Sequence, residues 1–94
     1  MKYLVLTYAV VEDFIEKRTP FREAHLALAR NAHARGELLL AGAVSDPVGA
    51  LLIFHTDSPD AVDRFVRADP YVAQGLVKSW KIRPWAVVVG GHSQ

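Results

Sequence analysis

Apolar positions along the chain repeat with two different periods, and the periods alternate. Lys2 to Tyr8 (KYLVLTY) is a run of β-branched, aromatic and aliphatic residues, too short for a stable helix and suited to a buried strand. Val10 to Lys17 has a weaker pattern that fits a short helical turn or a loop. Thr19-Pro20 then reads as a helix start, with Thr19 as N-cap and Pro20 at the first helical position. This helix is expected to run to about Arg35, with Gly36 as its C-terminal cap. Its inward stripe is Phe21, His25, Leu28 and Ala32, with Ala24 and Ala29 alongside. Glu37 to Val44 and Val48 to Thr56 read as strands, and the Ser45-Asp46-Pro47 turn between them makes a hairpin.

Ser58-Pro59-Asp60 repeats the helix-start pattern, and Asp60 suits the positive end of the helix dipole. The second helix carries Ala61, Val62, Phe65 and Val66 on one face, and the same spacing reaches Asp69. A residue before proline is biased away from helical backbone, so the helix stops at Asp69-Pro70 with the carboxylate leaving on the buried side. Val77 to Pro84 reads as a fourth strand. Leu76, Trp80 and Ile82 share one face of it, and Val77, Ser79, Lys81 and Arg83 share the other. Pro84 cannot donate to a ladder and belongs at an edge, a bulge or a strand end. Trp85 to Val89 is apolar and β-prone, so it is expected to pair at an edge or cross onto a partner subunit, and residues 90–94 read as a flexible tail.

Strand–helix–strand–strand–helix–strand is the split βαβ, ferredoxin-like order: an α+β domain over residues 1–89 whose antiparallel sheet carries both helices on one face. On the third strand Ala50, Leu52 and Phe54 oppose Leu51, Ile53 and His55, so the sheet is apolar on both sides and its second face needs cover. Composition agrees. A 94-residue chain has a modest core, yet 51% of this one is hydrophobic against 22% charged, which points to a homodimer packing sheet on sheet. The charge of +1, with acids and bases interspersed, provides no field for nucleic acid. No apolar run approaches membrane-spanning length and no leader pattern opens the chain, so the expected location is cytoplasmic. The absence of cysteine excludes disulfides, thiolate metal sites and thiol catalysis.

Candidate chemistry narrows to few residues. There is no Gly-rich phosphate loop, HExxH or GxSxG, and no serine has a nucleophile signature. His92 lies in the expected tail. His33, about 80° around the helix from His25, reads as a solvated surface residue. His55 reads as structural or interfacial. His25 stands on the inward stripe. Taken alone it is a core histidine held by a hydrogen bond, and Asp69 alone is a turn cap. Taken together, the two come from helices packed side by side on one sheet face and are able to meet. A carboxylate beside an imidazole fixes its tautomer and favours the imidazolium, which suits general acid/base work near neutral pH. Arg22, one turn before His25, is a candidate anchor for an anionic group or a plain surface charge. Tyr71 is a candidate hydrogen-bonding group or a packing aromatic. A metal site from His25, His55 and Asp69 has no diagnostic spacing.

The segments Arg22-Glu-Ala-His25-Leu26, Gly36, Gly42, Ala68-Asp69-Pro70-Tyr71-Val72-Ala73-Gln74-Gly75-Leu76-Val77 and Arg83-Pro84-Trp85 resemble the YciI-like (YCII-related) family. The resemblance runs from Lys2 to about Trp85, and Asp-Pro-Tyr-Val with its trailing Gly is its most specific part. It implies a dimeric α+β barrel, an active site centred on His25 and Asp69, and no metal or organic cofactor. It also implies dehydrochlorinase- or isomerase-like proton chemistry on a small, often aromatic, compound. The short connection at Ser45-Asp46-Pro47 departs from relatives with longer inserts. The expected function is a small enzyme using His25 as general acid/base, oriented by Asp69, with Arg22 and Tyr71 contacting substrate. The alternative is a non-catalytic ligand-binding or stress-related dimer with a structural His–Asp pair. A monooxygenase of the same barrel type is a third reading, for which no distinctive residue set is present.

Overall fold

The computed structural model describes residues 1–91. His92 and the rest of the expected tail beyond Gly91 lie outside the described residues. The elements in order are β1 (Lys2–Val10), α1 (Phe14–Lys17), α2 (Arg22–Ala34), β2 (Leu38–Val44), β3 (Gly49–Thr56), α3 (Pro59–Ala68), α4 (Pro70–Ala73) and β4 (Val77–Trp85). The sheet order is β2-β3-β1-β4, and every neighbouring pair is antiparallel. This is the α+β ferredoxin-like arrangement. No helix among the described residues is long and apolar enough to cross a membrane.

Alternation along β1 decides which face is filled. Leu4, Leu6, Tyr8 and Val10 point into the core with Leu52 and Phe54 of β3, and there they meet Ala29 and Ala32 of α2 and Val62, Phe65 and Val66 of α3. The stripe of α2 is narrower than its spacing suggests, because Ala24 is exposed. Thr19 to Phe21 form a 3-10 turn, so the α-helix proper begins at Arg22 rather than Thr19. The side chain of Thr19 caps nothing. Proline at the second position of the turn leaves a tighter i,i+3 geometry to start the helix.

Two register shifts correct the strand readings. Between Ala9 and Val10 the pairing with β4 slips by one residue, so Val77 opposes Val10 while Ser79 opposes Ala9. Val77 therefore turns into the core instead of sharing the Ser79 face, as a bulge reverses the pleat. The second shift lies between Leu38 and Leu40, where β2 changes from burying Leu38 to exposing Leu40. Pro84 sits within β4 opposite Leu4, and β4 is an edge strand, which tolerates the missing N–H. Trp85 ends β4, and Ala86 to Val89 form no strand.

The face of the sheet away from the helices carries Val5, Leu40, Leu51 and Ile53, paired as Val5–Ile53 and Leu40–Ile53 across neighbouring strands. Leu40 is 71% exposed and Val44 and Leu51 are also exposed, so this chain leaves an apolar sheet face open. His55 belongs to that face and stacks on Tyr3, ring centroids 4.5 Å apart.

Candidate functional site

The Asp69-Pro70 junction places the central carboxylate. Proline holds Asp69 in extended backbone, φ −72° and ψ 120°, which ends α3 and makes the same residue the N-cap of α4. The short helix α4 replaces the simple turn expected there. It forms because the Asp69 side chain and carbonyl satisfy its first N–H groups: Oδ1 accepts from the Tyr71 N–H at 3.0 Å, and the carbonyl accepts from Val72 and Ala73.

Asp69 is completely buried and accepts two further hydrogen bonds. The Tyr8 hydroxyl donates to Oδ2 at 2.8 Å, and His25 Nδ1 donates to Oδ1 at 3.0 Å. A carboxylate oxygen only accepts, so the proton of this contact is on Nδ1. In the neutral ring the lone pair is then on Nε2. The ring plane is held as well: His25 stacks on Tyr71, centroids 4.1 Å apart and planes within 15°, and Tyr71 meets Phe14 edge-on at 5.2 Å. The imidazole thus has one tautomer and one orientation, with 14% of its side chain open to solvent.

That opening faces a cavity of about 620 Å³ between α2 and the β2–β3 hairpin. His25, Arg22 and Tyr71 line it, together with Phe14, Arg18, Arg30 and His33. Small residues of the hairpin, Ala41, Ala43, Gly49 and Ala50, form the opposite wall and leave room for a ligand. Gly49 is required there: a Cβ would stand 2.7 Å from the Tyr8 carbonyl oxygen. His33 is exposed but not merely solvated, since its Nδ1 donates to the Leu38 carbonyl at 2.8 Å and fixes the ring on the cavity wall. His55 lies across the sheet from His25, so the triad of His25, His55 and Asp69 is not assembled. Among the described residues no three His, Cys, Asp or Glu side chains cluster to hold a metal.

Tyr8 is the partner that sequence reasoning missed. Its signal was its place after Leu4 and Leu6 on the inward face, because a buried tyrosine hydroxyl needs an acceptor. Burial, then the negative charge of Asp69 and the hydrogen bond to it, push the Tyr8 hydroxyl far above its ordinary value of 10.0. The Tyr71 hydroxyl is also raised, first by burial; the positive charges of Arg18 and Arg22 oppose this, and Asp69 adds to it. Above pH 10.0 the unfolded chain releases the Tyr8 proton and the folded chain keeps it, so stability falls as pH rises beyond that point. Tyr8→Phe is expected to lower stability at neutral pH by about 1–3 kcal/mol, because one buried carboxylate oxygen loses its donor. It should also flatten the alkaline decline. Urea unfolding followed from neutral to alkaline pH checks both, and an unchanged alkaline slope would show that Tyr8 is not its source.

A family model described as the YCII-related domain matches residues 1–86. Two relatives called Protein YciI, from Escherichia coli O6:H1 (strain CFT073) and Shigella flexneri, are each 35% identical over 86 residues, covering 81% of this chain and 88% of their own. A solved structure of the 5-chloro-2-hydroxyhydroquinone dehydrochlorinase TftG from Burkholderia phenoliruptrix AC1100, in complex with 2,5-dihydroxybenzoquinone, superposes with a TM-score of 0.76 at 22% identity. It covers 89% of this chain and 93% of that one. At that identity the likeness concerns the fold.

Proposed function

Because the chain belongs to the YCII-related family, we propose that it is a small enzyme of proton-transfer chemistry, of lyase, dehydrochlorinase or isomerase type, acting on a small organic compound. One observation carries this reading: His25 Nδ1 is held 3.0 Å from a fully buried carboxylate, at the wall of a cavity large enough for an aromatic ring. With Nδ1 committed to Asp69, Nε2 is the nitrogen left to take a proton from substrate. Asp69 then faces the imidazolium and stabilises its charge inside the protein. In an elimination of hydrogen chloride, Nε2 takes the proton, the C–H pair forms the new double bond, and chloride leaves with the C–Cl pair. For an isomerisation the same nitrogen returns the proton at another carbon. Arg22 and Tyr71, both on the cavity wall, are the proposed substrate contacts. The protein fold of the dehydrochlorinase neighbour, whose structure holds a quinone, supports the small aromatic substrate class.

A second reading has its own support. Asp69 caps α4 and holds Tyr8, so the His25–Asp69 contact also ties α2 to the α3–α4 junction, and a ligand-binding module would need no more. The two readings separate in deuterium oxide. Proton NMR of small aromatic acids, phenols and lactones incubated with the protein should show C–H signals lost to exchange, or product formed, faster than in buffer. Compounds that bind, by thermal shift, yet stay chemically unchanged would favour the binding module and overturn the catalytic reading.

The open sheet face supports a homodimer in which two sheets pack face to face around Leu40, Val44 and Leu51. Light scattering at micromolar concentration is expected to give twice the 10.4 kDa chain mass, and Leu40→Glu to return it to a monomer. A wild-type monomer would refute this assembly.

A further inference from the structure

The wall of the cavity is electrically one-sided. The chain as a whole is nearly balanced, with 11 basic residues and 10 acidic ones. Three of those basic residues, Arg18, Arg22 and Arg30, line the cavity, and no Asp or Glu does. Three of the carboxylates elsewhere are matched locally: Asp13 with Lys17, Glu37 with Arg35, Asp63 with Arg67. Among the described residues none of the three cavity arginines forms an ion pair. Asp69 is buried behind His25, takes its hydrogen bonds from Tyr8, His25 and the Tyr71 N–H, and pairs with none of the three arginines.

The three arginines line the same cavity as His25. Arg22 is one turn before His25 on α2, and Arg30 lies about 7.5 Å further along the helix axis from His25. Arg18 reaches the cavity from the segment before α2, its guanidinium 5.5 Å over the Phe14 ring, which holds the charge against the apolar wall. The fields of Arg18 and Arg22 reach the Tyr71 hydroxyl and pull against the effect of its burial. Guanidinium groups present planar pairs of N–H donors that match a carboxylate in two-point contact. Apart from His25, His33 and Tyr71, the remaining walls, with Leu26, Leu52 and the hairpin alanines, are apolar.

We infer that the ligand of this cavity is a small organic carboxylate with an apolar or aromatic body, its carboxylate held by Arg18, Arg22 and Arg30 and its body lying against the hairpin wall beside His25. This deepens the proposed function and rests on its reading of the cavity as the substrate site. Electrostatics acts twice in such a site. It concentrates anions at the mouth, and it fixes which end of the molecule faces His25.

The test uses the full chain and a matched series of probes: benzoate, cyclohexanecarboxylate, benzamide, benzyl alcohol and inorganic phosphate, titrated at constant ionic strength and followed by amide NMR shifts. Benzoate is expected to bind about tenfold more tightly than benzamide, the difference between a charged and a neutral hydrogen-bonding partner. Arg18→Gln, Arg22→Gln and Arg30→Gln should each weaken benzoate several-fold and leave benzamide unchanged. Arg67→Gln removes the same charge from an exposed helix face outside the cavity and should change neither. Added salt should erode the preference. Benzamide binding as well as benzoate, phosphate binding as well as benzoate, or no benzoate binding at millimolar concentration would each overturn the inference. If benzoate is preferred but no compound undergoes exchange or turnover, the catalytic reading fails and this one stands. If neutral compounds are turned over while benzoate does not bind, the reverse holds.

Discussion

Replacing His25 with alanine is expected to lower turnover by about 10²–10⁴-fold and to leave the chain folded. The two halves of that result come from different contacts. The loss in rate follows because Nε2 is the side-chain nitrogen at the cavity wall whose tautomer is set by a buried carboxylate. The retained fold follows because Asp69 keeps two of its three donors, the Tyr8 hydroxyl and the Tyr71 N–H, and His25 is not fully enclosed. The cost in stability is therefore about 1 kcal/mol, the net worth of one hydrogen bond, plus the ring contact with Tyr71. The measurement is kcat on the compound found by the exchange screen, beside a thermal melt. Adding free imidazole, which fits the space vacated beside the cavity, should restore part of the rate. A merely structural histidine would give no such rescue, and full activity in His25→Ala would remove the residue from the mechanism.

The largest loss of stability is expected at Asp69. Asp69→Ala removes the N-cap of α4, about 1 kcal/mol, and strands the buried Tyr8 hydroxyl, about 1–3 kcal/mol more. A total of about 2–4 kcal/mol in a domain this small lowers the melting temperature by roughly 10–30 °C. Asp69→Asn separates the two roles of the residue. Its amide oxygen still accepts from the Tyr71 N–H, so the cap survives and most of the stability with it. Its charge is gone, so the imidazolium formed during proton transfer loses its stabilising partner. The expected pattern is a folded Asn variant with an activity loss close to that of His25→Ala, and an Ala variant that is both inactive and unstable. Should Asp69→Asn keep full activity, the carboxylate is a structural cap and no more.

Much of this site could be read before any geometry was known. The step from Phe65 and Val66 to Asp69 follows helical spacing, and Pro70 forces the chain out of the helix there. Both are local effects, carried by backbone sterics, and they aimed the carboxylate inward. His25 was legible for the same reason, through its place in a stripe with Leu28 and Ala32. Tyr8 was not singled out, although it lies on the inward face of β1, because its acceptor is 61 residues away in the chain. The cationic wall was even less visible. Arg22 stood out along the sequence only by its place one turn before His25, Arg18 and Arg30 look like ordinary surface charges, and only the packing of α2 beside the β2–β3 hairpin gathers all three around one cavity.

What the sequence by itself determined is the order and type of the main elements, the end of a helix at Asp69-Pro70, and the family of the chain. Periodicity, proline sterics and turn chemistry act over a few residues, so they survive in a linear reading. What only the tertiary structure decided is the matter of partners: which oxygen of Asp69 faces His25, that Tyr8 takes the other one, that Tyr71 stacks the imidazole, and that a bulge turns Val77 inward. Each depends on contacts between distant segments, whose register and approach are set by packing the whole sheet against its helices. Composition and local pattern leave them open.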